Sequence, residues 1–354
     1  MKQSMLSSNE FEINLKSIKS NIEYIKNKYN DYDYYIGVVK ANAYGCGYYK
    51  VIETMDKAGI NFFTVNSIEE ALEVRKYTKN GILILSPILL NNIDECIKNN
   101  ISITIDNLEY LKQIKQTINL KVHIAINTGM NRYGVNNINE LNEIMEYCKE
   151  KEIIVEGIFT HLYYASNKET TNKQIEIFNN YIENIDYKNI KMIHVMNSEG
   201  LLNYNKIKYT NAIRVGDLLY GLTRDKSFKS VYSLKSKINE IRQLKKGDTL
   251  GYDAGYKAEK DELIAVIPIG YCSGITKNNK GRFVYINNKK YQIVGNICMC
   301  NIFVKIDDSI KQTDEVDIIK DSYDVLDIAD YINTAPSEIT CIIDKNIKKI
   351  YRVE

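Results

Sequence analysis

Residues 62–70 read Phe62-Phe63-Thr64-Val65-Asn66-Ser67-Ile68-Glu69-Glu70, and 81–85 read Gly81-Ile82-Leu83-Ile84-Leu85. Phe62-Phe63-Thr64-Val65 has no polar alternation, the pattern of a strand buried on both faces. Ser67 with Glu70 three places later spells a helix start. The hydroxyl can accept from an orphan amide while the Glu reaches back. A second buried run at 82–85 then completes a strand–helix–strand unit. Asp106-Asn107-Leu108-Glu109 repeats the capping spelling after the run 101–105.

Working outward, the same texture covers the first two-thirds of the chain. Apolar runs fall at 35–39, 62–65, 82–85, 101–105, 122–126, 153–159, 191–195 and 211–215, with helical stretches between them. Leu141, Ile144, Met145 and Cys148 are at helical spacing on one of these. Eight strands with interleaved helices over about 200 residues is the arithmetic of a (β/α)8 TIM barrel. A doubly wound open sheet would need a topological switch and usually has fewer strands. From about residue 231 short strand-like runs follow one another at 233–241, 249–252, 263–268, 282–286, 290–294, 302–306 and 315–319. Gly-Asp, Asn-Asn and Asp-Asp pairs punctuate them. A helix is expected at 325–332 and a strand near 340–343. The reading is an α/β chain: a barrel over 9–230, then a mainly-β domain over 231–354, with residues 1–8 packing on the latter.

Composition narrows the function. The 354 residues carry 47 Lys and Arg against 45 Asp and Glu, a net charge of +2, which lacks the basic excess of a nucleic-acid binder. Apolar residues are 44% and charged residues 26%, an ordinary globular profile. The longest apolar run, 81–90, is short and contains Pro87, so no bilayer-spanning helix and no membrane partner are expected. The N-terminus lacks the apolar core of a secretory signal. Seven cysteines show no metal-ligand spacing, and Cys298-Met299-Cys300 is too tight for a zinc motif. No metal is expected, and reduced thiols suit a cytoplasm.

In a barrel the chemistry belongs at the C-terminal ends of the strands. Lys40 follows Val38-Val39 into a turn of small residues, where desolvation favours a neutral amine. Arg132 follows the fifth strand, His161 the sixth, Ser198 the seventh, and Arg214-Val215-Gly216 closes the eighth. Singly, each has an ordinary reading. Lys40 could be solvated, Arg132 and Arg214 could form surface ion pairs, His161 could be a satisfied core imidazole, and Ser198 could cap a helix. Jointly they ring one mouth. Barrels often hold phosphate after strands seven and eight, and a lysine opposite a phosphate cradle points to pyridoxal phosphate.

The chain resembles the alanine racemases, nearly end to end. Val38-Val39-Lys40-Ala41-Asn42-Ala43-Tyr44-Gly45 is similar to that family's cofactor-attachment signature. Supporting stretches are Asn127-Thr128-Gly129-Met130-Asn131-Arg132, Thr160-His161, Asn197-Ser198, Arg214-Val215-Gly216, Tyr256, Ile267-Pro268-Ile269-Gly270-Tyr271 and Cys298-Met299. The resemblance implies a pyridoxal 5'-phosphate-dependent amino-acid racemase acting as a homodimer with shared active sites. Lys40 would carry the cofactor and act as base on one face of the substrate. Tyr256, from the partner's β domain, would act on the other. Arg214 would face the pyridine nitrogen, with His161 beside the ring. Tyr44, Asn197, Ser198, Val215 and Gly216 would hold the phosphate. Arg132, the Met299 amide and Tyr271 would meet the substrate.

Several positions depart from the family pattern. Ala125 stands where the family often has a carbamylated Lys, and Asn127 replaces the Asp of its Lys-Val-Asp-Thr-Gly-Met stretch. A bound anion such as chloride, or another carboxylate, is expected beside Arg132 to compensate. Cys300 replaces an Asp, Lys345 a Tyr that encloses the substrate methyl, and Cys46 a His. A changed wall relaxes discrimination, since one methylene or hydroxyl provides only about 1–3 kcal/mol. Serine or broader activity is therefore expected beside alanine. The competing readings are a serine-preferring racemase, a pyridoxal-phosphate-dependent decarboxylase and a cofactor-carrier protein.

Overall fold

The structure is a computed structural model that describes residues 8–353. Eight parallel strands close into a barrel in chain order: Tyr34–Val38, Phe62–Val65, Gly81–Ile84, Ile101–Ile105, Lys121–Ala125, Ile154–Phe159, Met192–His194 and Ala212–Val215. All eight expected runs are present, with ends moved by at most a few residues. The last strand pairs with the first, Ile36 opposite Arg214, which closes the cylinder. Phe62–Val65, Ile101–Ile105, Met192–His194 and Ala212–Val215 are buried along their whole length, as the absence of alternation requires. Ile36, Phe62, Leu83, Ala125, Phe159, Met192 and Ala212 form a buried cluster. On the helix Ile138–Glu150, Leu141, Ile144 and Cys148 are buried and Met145 is half-buried.

By contacts, the barrel unit comprises residues 22–43 and 48–219, and the second unit residues 8–21, 44–47 and 220–353. The second unit is built on a nine-stranded sheet. Its strand Glu10–Asn14 lies between Tyr232–Lys237, antiparallel, and Lys348–Arg352, parallel. A boundary drawn in chain order at 230 therefore cuts across the packing, because the N-terminal strand completes the C-terminal sheet. The expected packing of residues 1–7 lies outside the described residues.

Two expectations need correction. The run 233–241 is two strands, Tyr232–Lys237 and Glu240–Leu244, because Ile238 N turns to Asp314 O and Asn239 N to Val266 O. The expected strand at 340–343 falls on a helix, Pro336–Cys341, and the residues after it. Proline at its first turn presets φ and has no amide to satisfy there, and this outweighs the β-branched spelling of Ile339-Thr340. The last strand, Lys348–Arg352, escaped notice because its charged residues suit a sheet edge. The helix expected at 325–332 is present as Ser322–Ile332, capped by Asp321. Among the described residues no helix is long and apolar enough to cross a membrane.

Candidate active site

Lys40 stands two residues past the first barrel strand, where the chain enters an unusual turn. Ala41, Asn42, Ala43 and Tyr44 have φ of 53°, 56°, 53° and 54°, a left-handed turn built without glycine. Each such residue costs about 1–2 kcal/mol, and strain of this kind persists only where surrounding contacts hold it. Glu70 supplies them. Its Oε1 accepts from Ala41 N at 2.5 Å and from the Tyr48 hydroxyl at 3.0 Å, and its Oε2 accepts from Asn66 N at 2.9 Å. The Tyr48 oxygen in turn accepts from Asn42 N at 3.1 Å. Burial and the adjacent Glu70 carboxylate raise the Tyr48 phenol, which keeps it a donor. Glu70 thus does not close the capping box that its spacing spells. The helix cap is Ser67 alone, accepting from Glu70 N.

A cleft of about 510 Å³ brings Lys40 together with Glu70, Arg132 and Tyr133. The Arg132 guanidinium lies over the Tyr133 ring, 4.8 Å from its centre. Asn127 ties the loop before it, accepting from Gly129 N and Asn131 N and donating to the side chains of Asn131 and Asn136. Ala125 is buried in the barrel core and points no polar group at the cleft.

Arg214 is buried, and its neighbours fix its plane. Its Nη1 donates to His194 Nδ1 at 2.6 Å and His194 O at 3.0 Å; its Nη2 donates to Thr160 O at 2.7 Å and Val195 O at 3.2 Å. Both terminal nitrogens are thereby spent, and Nε–H is the donor left over. Burial lowers the guanidinium to about 10, still cationic at neutrality. Behind it a buried relay runs through the barrel. His194 Nε2 lies 2.9 Å from His123 Nδ1, and His123 Nε2 lies 3.4 Å from Glu156 Oε2. Ser102 Oγ and Lys191 Nζ also donate to Glu156, at 2.6 and 3.0 Å. Burial lowers both imidazoles, and the charge of Arg214 lowers them further. Two neutral rings protonated at Nε2 satisfy every contact, with each donating toward Glu156 and His194 Nδ1 accepting from Arg214. Burial opposes ionisation of Glu156, yet His123, Ser102 and Lys191 together hold its carboxyl well below the usual range.

His161 is pushed down to about 3 by burial and then by the charges of Arg214, Arg132 and Lys40. It is a neutral ring in a basin of three cations. Near the seventh and eighth strand ends, Ser198 Oγ accepts from Gly216 N at 3.0 Å and Leu218 N at 3.4 Å. Val215 ends the eighth strand directly before these amides. Asn197, not Ser198, caps the helix Ser198–Asn203; it accepts from Gly200 N and donates to Leu162 O. Both ends of its side chain are used within the protein, so it orients Ser198 rather than offering a free ligand atom. Burial pushes Asp217 up to about 6, against the pull of Lys40.

The remaining candidates belong to the second unit. The Tyr44 ring stacks on Tyr220 at 4.6 Å. Tyr256 stands on a short hairpin, Thr249–Leu250 with Tyr256–Lys257, and donates to Glu262 Oε1 at 2.6 Å. Lys305 Nζ approaches its oxygen at 3.4 Å. Burial and the Glu262 bond raise this phenol despite Lys305, so its own chain does not activate it as a base. Tyr271 and Met299 are exposed on adjoining loops, tied by Tyr271 N to Cys298 O and Cys272 N to Met299 O. Lys345 is exposed and Cys46 buried, its thiol pushed up to about 12. Among the described residues no group of potential ligands could hold a metal. Sequence reading missed Glu70, Tyr48, His123 and Glu156; the spacing of Glu70 was visible but pointed only to a cap.

The barrel's cationic groups fit a phosphorylated, electron-poor aromatic ring. Arg214 offers one donor suited to an unprotonated ring nitrogen. Ser198, whose Oγ accepts from the Gly216 and Leu218 amides, keeps its hydroxyl hydrogen to donate to a phosphate, and Lys40 supplies the amine. Comparison with known proteins agrees. The family models described as alanine racemase, N-terminal domain, and alanine racemase, C-terminal domain, match residues 13–224 and 231–351. The alanine racemase of Borreliella burgdorferi is 34% identical over 358 residues, covering 96% of each chain. A crystal structure of alanine racemase from E. faecalis superposes with a TM-score of 0.93 at 26% identity, covering 99% of this chain and 100% of that one. The fold is also that of a Bartonella henselae alanine racemase with covalently bound pyridoxal phosphate, with a TM-score of 0.88 at 24% identity, covering 97% and 99%.

Proposed function

We propose, since this chain belongs to the alanine racemase family and is thus a pyridoxal-phosphate-dependent isomerase, that it inverts alanine by a two-base route between Lys40 and Tyr256. The carrying observation is the cleft at the strand ends that joins Lys40 with Arg132, with the buried Arg214 held by His194, Thr160 and Val195. When bound, the cofactor supplies an electron sink that acidifies the substrate Cα–H.

Lys40 would hold the cofactor at rest, and its Nζ moves a proton on one face of the substrate. Tyr256 of a second copy moves a proton at its phenolic oxygen on the opposite face. Two groups on opposite faces invert the centre, whereas a single group would return the proton where it came from. Each works best with a pKa nearer neutrality than its reference, and for Tyr256 that shift must come from outside its own chain. Its environment here raises it, and the chain's membership in the alanine racemase family supports a homodimer with shared sites. Arg214 keeps its proton, so its Nε–H leaves a facing ring nitrogen unprotonated and restrains side reactions. Ser198, with the Val215–Gly216 backbone, holds the phosphate, joined by Tyr44, and Asn197 orients Ser198. Arg132 pairs with the substrate carboxylate, helped by the Met299 amide, and Tyr271 lines the entrance.

Arg132 has no carboxylate partner among the described residues, which supports a small anion such as chloride beside it. Cys300 and Lys345 support turnover of serine as well as alanine. Seven free cysteines support a cytoplasmic setting. A panel of single-enantiomer amino acids read by chiral chromatography tests the reading. Alanine should be racemised, with kcat/KM for serine within about two orders of magnitude, the span of a few kcal/mol of pocket discrimination. Failure to racemise any small amino acid would defeat it.

A further inference from the structure

We propose that Cys272 and Cys300 form a redox modification site, a thiol pair that closes to a disulfide when the protein meets a peroxide. Their Sγ atoms lie 3.6 Å apart. Of the seven cysteines these two alone are exposed; Cys46, Cys96 and Cys148 are buried, and Cys298 and Cys341 half-buried. The Cys298 thiol is turned to Asn296 O at 3.7 Å. Backbone geometry already holds the pair together. Tyr271 N donates to Cys298 O at 3.1 Å and Cys272 N to Met299 O at 3.0 Å. Gly270 permits this approach, since a Cβ there would lie 2.3 Å from Cys298 O and 2.5 Å from Met299 O. A disulfide needs the sulfurs at about 2.0 Å, a movement that side-chain rotation of two exposed residues can provide.

The chemistry balances with hydrogen peroxide as oxidant. The Cys272 sulfur attacks one peroxide oxygen, the O–O bond breaks, and a sulfenic acid and one water result. The Cys300 sulfur then attacks that sulfur. The S–S bond forms as the S–O bond breaks, and the second water leaves with the two thiol protons accounted for. Two thiols lose two electrons and the peroxide gains them. The thiol–thiol hydrogen bond raises the Cys300 thiol, which disfavours its thiolate, so the first attack on the peroxide is assigned to its neighbour Cys272.

Closure fixes the loops that carry Tyr271 and Met299. Its effect on turnover rests on the proposed placement of those two residues at the substrate; the disulfide itself does not. The test treats the holoenzyme with hydrogen peroxide, blocks free thiols, and maps tryptic peptides without reduction. A cross-link lighter by two hydrogens should join 261–277 to 291–305, and should vanish in both Cys272→Ser and Cys300→Ser. Racemisation should fall at least tenfold and return with dithiothreitol, while Cys272→Ser keeps its own untreated rate under the same peroxide. Sulfinic or sulfonic acid without the cross-link, or a cross-link that survives in Cys300→Ser through Cys298, would overturn the site. The cross-link formed with turnover unchanged would leave the site standing and refute the placement of Tyr271 and Met299.

Discussion

The carboxylate of Glu70 accepts the amide hydrogen of Ala41 at 2.5 Å, one residue beyond Lys40. The helix after the second barrel strand thereby sets the backbone from which the Lys40 side chain leaves. Four left-handed residues without glycine would relax without it. Glu70→Ala should destabilise the protein by about 1–3 kcal/mol, the cost of stranding amides that had a charged acceptor. It should also slow incorporation of pyridoxal phosphate into the apoenzyme at least tenfold. Glu70→Gln keeps one acceptor oxygen and should recover part of both. Urea unfolding and the growth of visible absorbance on cofactor addition read the two effects. Wild-type incorporation in Glu70→Ala would show that the turn holds itself.

Acid should loosen the fold early. His123 and His194 are fully buried and held neutral, with pKa values below the usual 6.5. The unfolded chain takes up protons there as pH falls through 6.5 and the folded chain does not, so stability is present above that pH and lost below it. The melting temperature should therefore fall between pH 7 and pH 5, more steeply in wild type than in His194→Gln. A flat profile over this window would contradict two neutral buried rings.

Asp217 works with the opposite sign. Its carboxyl is pushed up to about 6, so the folded form binds a proton that the unfolded form releases between about pH 4 and 6. That contribution to stability shrinks as pH rises. Asp217→Asn should raise the apoenzyme's melting temperature more at pH 7 than at pH 5, as scanning calorimetry would show.

Glu262 keeps the Tyr256 phenol protonated through a 2.6 Å hydrogen bond. In Glu262→Gln the repulsion between phenolate and carboxylate is gone, so the phenol should titrate at lower pH. The basic limb of the racemisation profile should move down by about one pH unit, the size of shift one neighbouring charge produces. Lys305→Ala should move it the other way. An unmoved profile in both would mean that Tyr256 leaves this cluster when the enzyme turns over.

The barrel was legible because strands buried on both faces need unbroken apolar runs, and Phe62–Val65 and Ile101–Ile105 can be spelled no other way. The edges were not. Glu10–Asn14 and Lys348–Arg352 carry charge that reads as surface, and their pairing is between opposite ends of the chain. In the site, Lys40, Arg132, His161, Ser198 and Arg214 were visible at strand ends. Glu70 was visible but misread, since its acceptors' partners at Ala41, Tyr48 and Asn66 meet only in the fold. The left-handed turn had no sequence mark, because three of its four residues, Ala41, Ala43 and Tyr44, are of types that rarely adopt it. His123 and Glu156 lie inside strands, where a polar residue shows only that something buried must satisfy it.

The most direct measurement is borohydride reduction of the holoenzyme followed by peptide mapping, with Lys40→Ala alongside. Wild type should lose its visible absorbance on reduction and carry the cofactor on the peptide containing Lys40. Lys40→Ala should be colourless after dialysis and racemise at background. Cofactor fixed to another lysine, or a Lys40→Ala protein that still racemises alanine at the wild-type rate, would contradict the account.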